Sequence, residues 1–338
     1  MTGLVDSFGR SIDYLRISVT DRCNLRCIYC MPSEGVPHIS HSEILSYEEI
    51  RAVVRAAAQL GIRRVRLTGG EPLVRADFPE LVKMLSRIEG ITELSLTTNG
   101  ALLKDYAHAL KQAGLSRVNV SLDTLRADRF RDITRQGELE DVLAGIEAAQ
   151  EAGLHPIKIN TVVMRGINDD EILDFARLTI TEGWHVRFIE LMPFVTDNPP
   201  EGHSSGRKAN SRSQFMSADE VKERLDTLGE LNPCLPITGN GPAKYLRFPK
   251  AGGTIGFITP VSQHFCFNCN RLRLTAEGKL RPCLLSDSEI DLRQPLRGGA
   301  SPEKLKQIIT EAIQKKPKEH KLSRGHTSRK RLMSQVGG

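Results

Sequence analysis

Six short β-branched runs alternate with helical stretches between Leu15 and Leu228, and on strand after strand one face is apolar while the other is polar or cationic. The strand segments are 15–19, 63–68, 93–98, 117–122, 157–163 and 186–191. Helical periodicity marks 47–60, 78–88, 102–113, 139–152, 169–182 and 218–228. Successive strand–helix units dictate a parallel sheet with right-handed crossovers. Ile17, Val65, Leu67, Leu94, Leu96, Val118, Val120, Ile157 and Ile159 make a face that packs under helices. Arg16, Ser18, Arg66, Thr68, Ser95, Thr97, Asn119, Ser121, Lys158, Asn160 and Arg187 share the other. A doubly wound sheet, covered on both sides, would read as nearly continuous hydrophobics. A polar, cationic face belongs instead inside a barrel too wide to fill itself with side chains, where a charged ligand fits. The expected fold is α/β: an open six-stranded (βα)6 partial TIM barrel over 1–228, followed by a smaller irregular C-terminal domain over 229–338.

Residue types suited to chemistry cluster where such a barrel places its site, at the C-terminal ends of the strands. Thr68-Gly69-Gly70-Glu71-Pro72 follows the second strand, Thr97-Thr98-Asn99-Gly100 ends the third, Ser121-Leu122-Asp123 the fourth, and Glu190-Leu191-Met192-Pro193 the sixth. The stretch 196–215, rich in Pro, Gly, Ser and Asn, reads as a surface loop with no assigned role. No apolar run approaches the roughly 18 residues of a membrane span, and the N-terminus has no apolar leader, so a reducing cytoplasm is expected. The formal net charge is +6, with much of the excess between Lys315 and Arg331. That run reads as a solvated basic tail, although a modest positive charge also suits a phosphorylated substrate.

Clustered cysteines in a cytosolic chain point to metal rather than disulfides. Cys23, Cys27 and Cys30 follow directly on the first strand. A four-iron cluster ordinarily takes four thiolates, so three leave one iron open to a small molecule. The bland alternative is structural zinc completed by His38 or His41. A second triad, Cys266, Cys269 and Cys283, is on spacing alone also compatible with a Cys3His zinc site using His264. Arg271 and Arg273, two apart beside these cysteines, are better suited to gripping an anion. Cys234 lies outside both triads and reads as packing or a spare thiol.

CNLRCIYC after the first strand, with TGGEP after the second, resembles the radical S-adenosylmethionine superfamily. The resemblance implies that the open iron at Cys23, Cys27 and Cys30 chelates S-adenosylmethionine, which is then cleaved to a 5′-deoxyadenosyl radical. Tyr29 matches the aromatic residue near the adenine, and Gly69, Gly70 and Glu71 match the element beside the methionyl amine. Ser121 and Met192 match further contacts of this cofactor. LRISVTDRCNLRCIYCMP, VRLTGGEPLVR, LTTNG, RVNVSLD, IKINTVVMRGIND, VRFIELMP, the segment through Cys283 and the terminal Gly337-Gly338 together resemble one family within it, the GTP 3′,8-cyclases of molybdenum cofactor biosynthesis. That resemblance implies two [4Fe–4S] clusters, the second binding the guanine of GTP at Cys266, Cys269 and Cys283. Arg16, Arg66, Thr97 and Lys158 match residues that bind the nucleotide, and Arg271, Leu272 and Arg273 match a GTP-contacting tripeptide.

The resemblance also implies that the Gly337-Gly338 end reaches the active site, and glycine can enter a crowded cavity that other residues cannot. It further implies a homodimer, a reductant such as flavodoxin or ferredoxin, and a downstream cyclic pyranopterin monophosphate synthase. Two other readings compete. One is a radical enzyme with an auxiliary cluster acting on a peptide or RNA, although such enzymes generally carry more C-terminal cysteines. The other is a zinc-bearing nucleic-acid-binding module, which the polar barrel interior disfavours. Neither a membrane nor a nucleic-acid partner is expected.

Overall fold

The computed structural model describes residues 3–193, 213–236, 241–320, 322 and 331–337. The stretch 196–215, apart from 213–215, and Gly338 lie outside the described residues. Six strands run in chain order: β1 (Tyr14–Ser18), β2 (Arg64–Thr68), β3 (Glu93–Thr98), β4 (Arg117–Ser121), β5 (Lys158–Val163) and β6 (His185–Glu190). They lie side by side and parallel in that order, each within a residue of its expected bounds. The crossovers carry α1 (Tyr47–Gln59), α2 (Phe78–Ser86), α3 (Leu103–Gln112), α4 (Ala127–Thr134), α5 (Leu139–Glu151) and α6 (Ile172–Thr181), with α7 (Ala218–Leu225) after β6. Local chemistry explains their starts: Ser46 and Glu49 form a reciprocal capping box at α1, as do Ser217 and Glu220 at α7. The sequence reading misses α4, a short, highly charged helix that buries only Phe130, Ile133 and Thr134.

The strand parity is as expected. Ile17, Val65, Leu67, Leu94, Leu96, Val118, Val120 and Ile159 are buried in one continuous core with the helices. Register stacks the polar face into layers: Arg16 pairs with Arg66, Arg66 with Ser95, and Ser95 with Arg117. The next layer runs from Thr97 through Asn119 and Lys158 to His185.

The C-terminal region extends the same sheet at both edges. β10 (Arg271–Leu274) adds parallel to β1, and β9 (Ile255–Ile258) adds parallel to β6. Outside β10 lie the antiparallel β11 (Lys279–Arg281) and β12 (Ile290–Asp291); outside β9 lie β8 (Lys244–Arg247) and β7 (Asn232–Pro233). The parallel six-strand core is therefore flanked by strands that bring the second cysteine triad to the edge of β1. α8 (Arg293–Arg297), α9 (Pro302–Gln314) and the short α10 (Met333–Val336) complete the elements. The sequence reading also misses α9, although Ser301 caps it and Leu305, Ile308, Ile309, Ala312 and Ile313 recur at helical spacing on its buried face.

The solvated-tail reading of 315–331 is corrected at the two ends of that run. Lys316 is only 4% exposed, and Arg331 is ion-paired to Glu277 and Glu289. Charge composition cannot tell a buried cation from a solvated one when its partners lie thirty or more residues away. No helix among the described residues is long and apolar enough to cross a membrane.

Candidate active site

The first triad sits on the loop leaving β1. Cys30 N–H donates to the Cys27 carbonyl (2.9 Å), folding the loop back on itself. The strip after β2 lies against this loop: Gly70 N–H donates to the Thr20 carbonyl and Glu71 N–H to the Arg22 carbonyl, both at 2.8 Å. A Cβ on Gly70 would stand 2.2 Å from the Arg22 carbonyl oxygen, and one on Gly69 would stand 2.6 Å from that of Thr20. Only glycines permit this approach. Glu71, fully buried, accepts from Leu73 N–H (3.1 Å), the Thr98 hydroxyl (2.8 Å) and Asn99 N–H (2.6 Å). Its carboxylate thus ties the ends of β2 and β3 together, and burial raises its pKa to about 7 against those hydrogen bonds. Asn99 in turn donates to Asn24 (2.8 Å) and to the Cys23 sulfur (3.9 Å).

Burial pushes the Cys23 thiol up to about 11 and Cys30 to about 12, and raises Cys27 as well. The three sulfurs interact with one another electrostatically, so they share one neighbourhood. Tyr29, between the last two cysteines, donates its hydroxyl to Asp123 (2.7 Å), which also accepts from Val162 N–H (2.8 Å). Asp123 is a residue that sequence reasoning placed at a strand end without assigning it; burial raises its pKa to about 6.

The second triad borders a cavity at the open side of the barrel, with Cys266, Cys269 and Cys283 all in its wall. Together with the open solvent at its mouth the space spans about 1280 Å³. Nine arginine or lysine side chains line it among the described residues, against a single acid, Glu93. Arg16, Arg66, Thr97, Lys158, Arg271 and Arg273 are all in the wall, as is Met192. Sequence reasoning did not assign Arg64, Arg117 or Lys316, and it named Arg187 only as an inward cation. The parity of Arg64, Arg117 and Arg187 with Arg66 across the register was the available signal.

The cations repel one another. Burial, then Arg273, Arg66 and Arg271, hold Arg16 well below the usual guanidinium range, and burial brings Arg273 to about 9. Burial, Arg117, Arg187 and Arg66 push Lys158 down to about 6. A buried cluster of one sign is stable only when an anion completes it. Leu272 lies on the opposite face of β10, in the hydrophobic core, so only its backbone can meet a ligand in the cavity.

Lys316 stitches the second triad together. Its ammonium donates to the carbonyls of Arg271 and Pro282, each at 2.7 Å, and stands near the Cys269 thiol. Burial pushes the Cys269 thiol up, but Lys316 and Arg271 outweigh it and bring it down to about 7. Arg10 holds the other limb, donating to the Cys266 carbonyl (2.7 Å). His264 packs edge-on against His320. Among the described residues no His, Cys, Asp or Glu set converges as tightly as a single metal ion requires. What each triad offers is three neighbouring thiols, a donor set that suits iron–sulfur chemistry.

The chain end lies between the two triads. The Ser334 backbone lies beside the Cys30 thiol and eases its upward shift, and Arg273 donates to the carbonyl of Gly337 (2.5 Å). Gly337 has φ +65°, and a Cβ there would stand 2.7 Å from Thr68 Cγ2 and 3.3 Å from Ser18 Cβ. Of the remaining expected residues, Ser121 ends β4 in register with Asn160, and Cys234 is a half-buried free thiol whose backbone pairs with Tyr245.

Residues 17–179 match the Radical SAM superfamily, and residues 184–322 match Molybdenum Cofactor Synthesis C. The chain is 55% identical over 334 residues to a GTP 3′,8-cyclase of Pelotomaculum thermopropionicum, covering 98% of this chain and 99% of that one. It is 53% identical over 337 residues to a GTP 3′,8-cyclase of Heliobacterium modesticaldum, covering 99% and 100%. Among solved structures, Streptococcus suis SuiB bound to S-adenosylmethionine superposes with a TM-score of 0.58 at 15% identity, over 86% of this chain and 66% of that one, a likeness of fold. The chain belongs to the GTP 3′,8-cyclase family of the radical S-adenosylmethionine superfamily.

Proposed function

We propose that the protein converts GTP to (8S)-3′,8-cyclo-7,8-dihydroguanosine 5′-triphosphate, the first step of molybdenum cofactor biosynthesis. The observation that carries this reading is the cavity itself: among the described residues nine arginine or lysine side chains face one acid, bordered by the second cysteine triad. A triphosphate supplies the negative charge that such a wall lacks, and guanidinium forks match its oxygens. The iron–sulfur cluster and S-adenosylmethionine supply, when bound at Cys23, Cys27 and Cys30, the radical that opens the C3′ position of the ribose.

The chain's own residues bind, orient and shield. Arg16, Arg66, Lys158, Arg271 and Arg273 hold the triphosphate, with Thr97 beside them. Tyr29, Gly69, Gly70, Ser121 and Met192 frame the S-adenosylmethionine side. Glu71, saturated by backbone and hydroxyl donors, positions the strand ends next to that cofactor. Cys266, Cys269 and Cys283 would hold a second [4Fe–4S] cluster, which would supply a binding point for the guanine at this end of the cavity. Gly337 closes the space between the two triads.

We read residues 1–228 as the unit carrying the radical machinery and 229–338 as the unit carrying the substrate cluster. A homodimer, a cytoplasmic setting, a flavodoxin or ferredoxin as reductant, and a cyclic pyranopterin monophosphate synthase that accepts the product complete the reading. The test is anaerobic incubation of reconstituted protein with GTP, S-adenosylmethionine and a strong reductant, followed by mass spectrometry. A cyclised guanosine triphosphate alongside 5′-deoxyadenosine supports the reading. Modification of a peptide or RNA, with GTP untouched, would support the rival radical enzyme.

A further inference from the structure

We infer that Arg331 is a positioning residue, a latch that seats the terminal segment 332–337 in the barrel between the two cysteine triads. Its guanidinium forks onto Glu289, Nε to Oε1 at 2.5 Å and Nη2 to Oε2 at 2.9 Å, and also pairs with Glu277. These groups are largely shielded from solvent, where a planar fork on a carboxylate is strongest and most directional. Glu277 lies in the turn between β10 and β11, and Glu289 directly precedes β12. The same small meander supplies Arg273 on β10, which holds the Gly337 carbonyl. One rigid element therefore grips both ends of the span.

Between those two grips the chain passes the first triad, with the Ser334 backbone beside the Cys30 thiol. Leu332 N–H is satisfied by the Gln335 side chain (3.0 Å), which sets the single helical turn, and Ser334 and Val336 are buried. A short chain end gains little from its own contacts and must be held near its site for those contacts to form often. Arg331 is the charged anchor closest to the seated residues. Arg281, fully buried on β11, also pairs with Glu289. Removing Arg331 thus leaves Glu289 with a partner, and a glutamine can still donate to Glu277.

This inference rests on the reading that the Gly337 end takes part in turnover, and the test separates the two. Arg331→Gln should keep wild-type iron and sulfide content. Backbone amides 333–337 should exchange about tenfold faster or more, and cyclised product should fall by a similar factor, as the local concentration of the tail drops. A synthetic peptide copying 331–338 should restore product to Arg331→Gln. The same peptide with glutamine at the first position should need roughly tenfold more for equal rescue. Wild-type exchange and turnover in Arg331→Gln, equal rescue by both peptides, or loss of iron from the variant would each overturn the latch. Deleting the last two residues decides the underlying reading. If that deletion turns over GTP normally, the tail reading fails; if it is inactive while Arg331→Gln is normal, only the latch fails.

Discussion

Lys158 should take up a proton when GTP binds. Within the cavity burial, followed by Arg117, Arg187 and Arg66, pushes its ammonium down to about 6 from an ordinary 10.5, while Glu93 pulls the other way. At pH 7.5 the side chain is then almost wholly neutral. A triphosphate placed against it restores the charged form, so binding draws in about one proton. The sign follows from the depressed value: bound and free proteins differ in protonation from about pH 6 upward, and GTP affinity falls as pH rises through that window. Between pH 7.5 and 8.5, where the terminal phosphate of GTP is already ionised, affinity should weaken by about tenfold. The empty protein behaves oppositely. Its unfolded chain binds the extra proton, so this lysine's contribution to folding stability rises with pH over the same range. Anaerobic calorimetry in buffers of different ionisation enthalpy measures the uptake directly. Lys158→Met should abolish it and flatten the pH dependence. A wild-type affinity that is level between pH 7.5 and 8.5, with no net proton exchange, would refute the argument.

Three further outcomes follow from particular contacts. Gly70→Ala forces a Cβ into the Arg22 carbonyl, which should cost about 1–3 kcal/mol as overpacking and displace the loop bearing Cys23. Thermal denaturation and iron retention at the first triad check it. Lys316→Met removes the ammonium that joins the Arg271 and Pro282 carbonyls to Cys269. In a background lacking the first triad, iron at the second should be stripped by chelator markedly faster than from the parent; equal rates would deny Lys316 that role. Arg271→Ala should depress GTP turnover strongly while leaving reductive cleavage of S-adenosylmethionine without GTP intact, and equal loss of both would make Arg271 a structural residue.

The barrel was legible because its two faces differ in chemistry at every strand. Arg16, Arg66 and Lys158 alternate with Ile17, Leu67 and Ile159, and that parity carries both fold and cavity. The two triads were legible because their ligands are close in sequence. What escaped were pairings across long separations. β10 reaches β1 over more than 250 residues, and no local pattern in 271–274 announces a partner that far away. Lys316 and Arg331 looked like members of a solvated run, because the groups that bury them, the Arg271 carbonyl, Glu277 and Glu289, belong to other elements. Arg117 went unassigned although it shares the parity of Asn119, and its role as a neighbour of Lys158 emerges only once Asn119 and Lys158 are in register. Leu272 shows the opposite error: a matching tripeptide carries its middle residue along, while strand alternation turns that side chain into the core.

The measurement closest to the central claim uses GTP carrying deuterium at C3′ of the ribose. Reconstituted protein is given this substrate, S-adenosylmethionine and reductant without oxygen, and both products are weighed by mass spectrometry. The account predicts that the deuterium appears in 5′-deoxyadenosine and is missing from the cyclised nucleotide, because the residues lining the cavity hold the ribose toward the first triad. Unlabelled 5′-deoxyadenosine, formed while deuterium stays in the nucleotide, would contradict it.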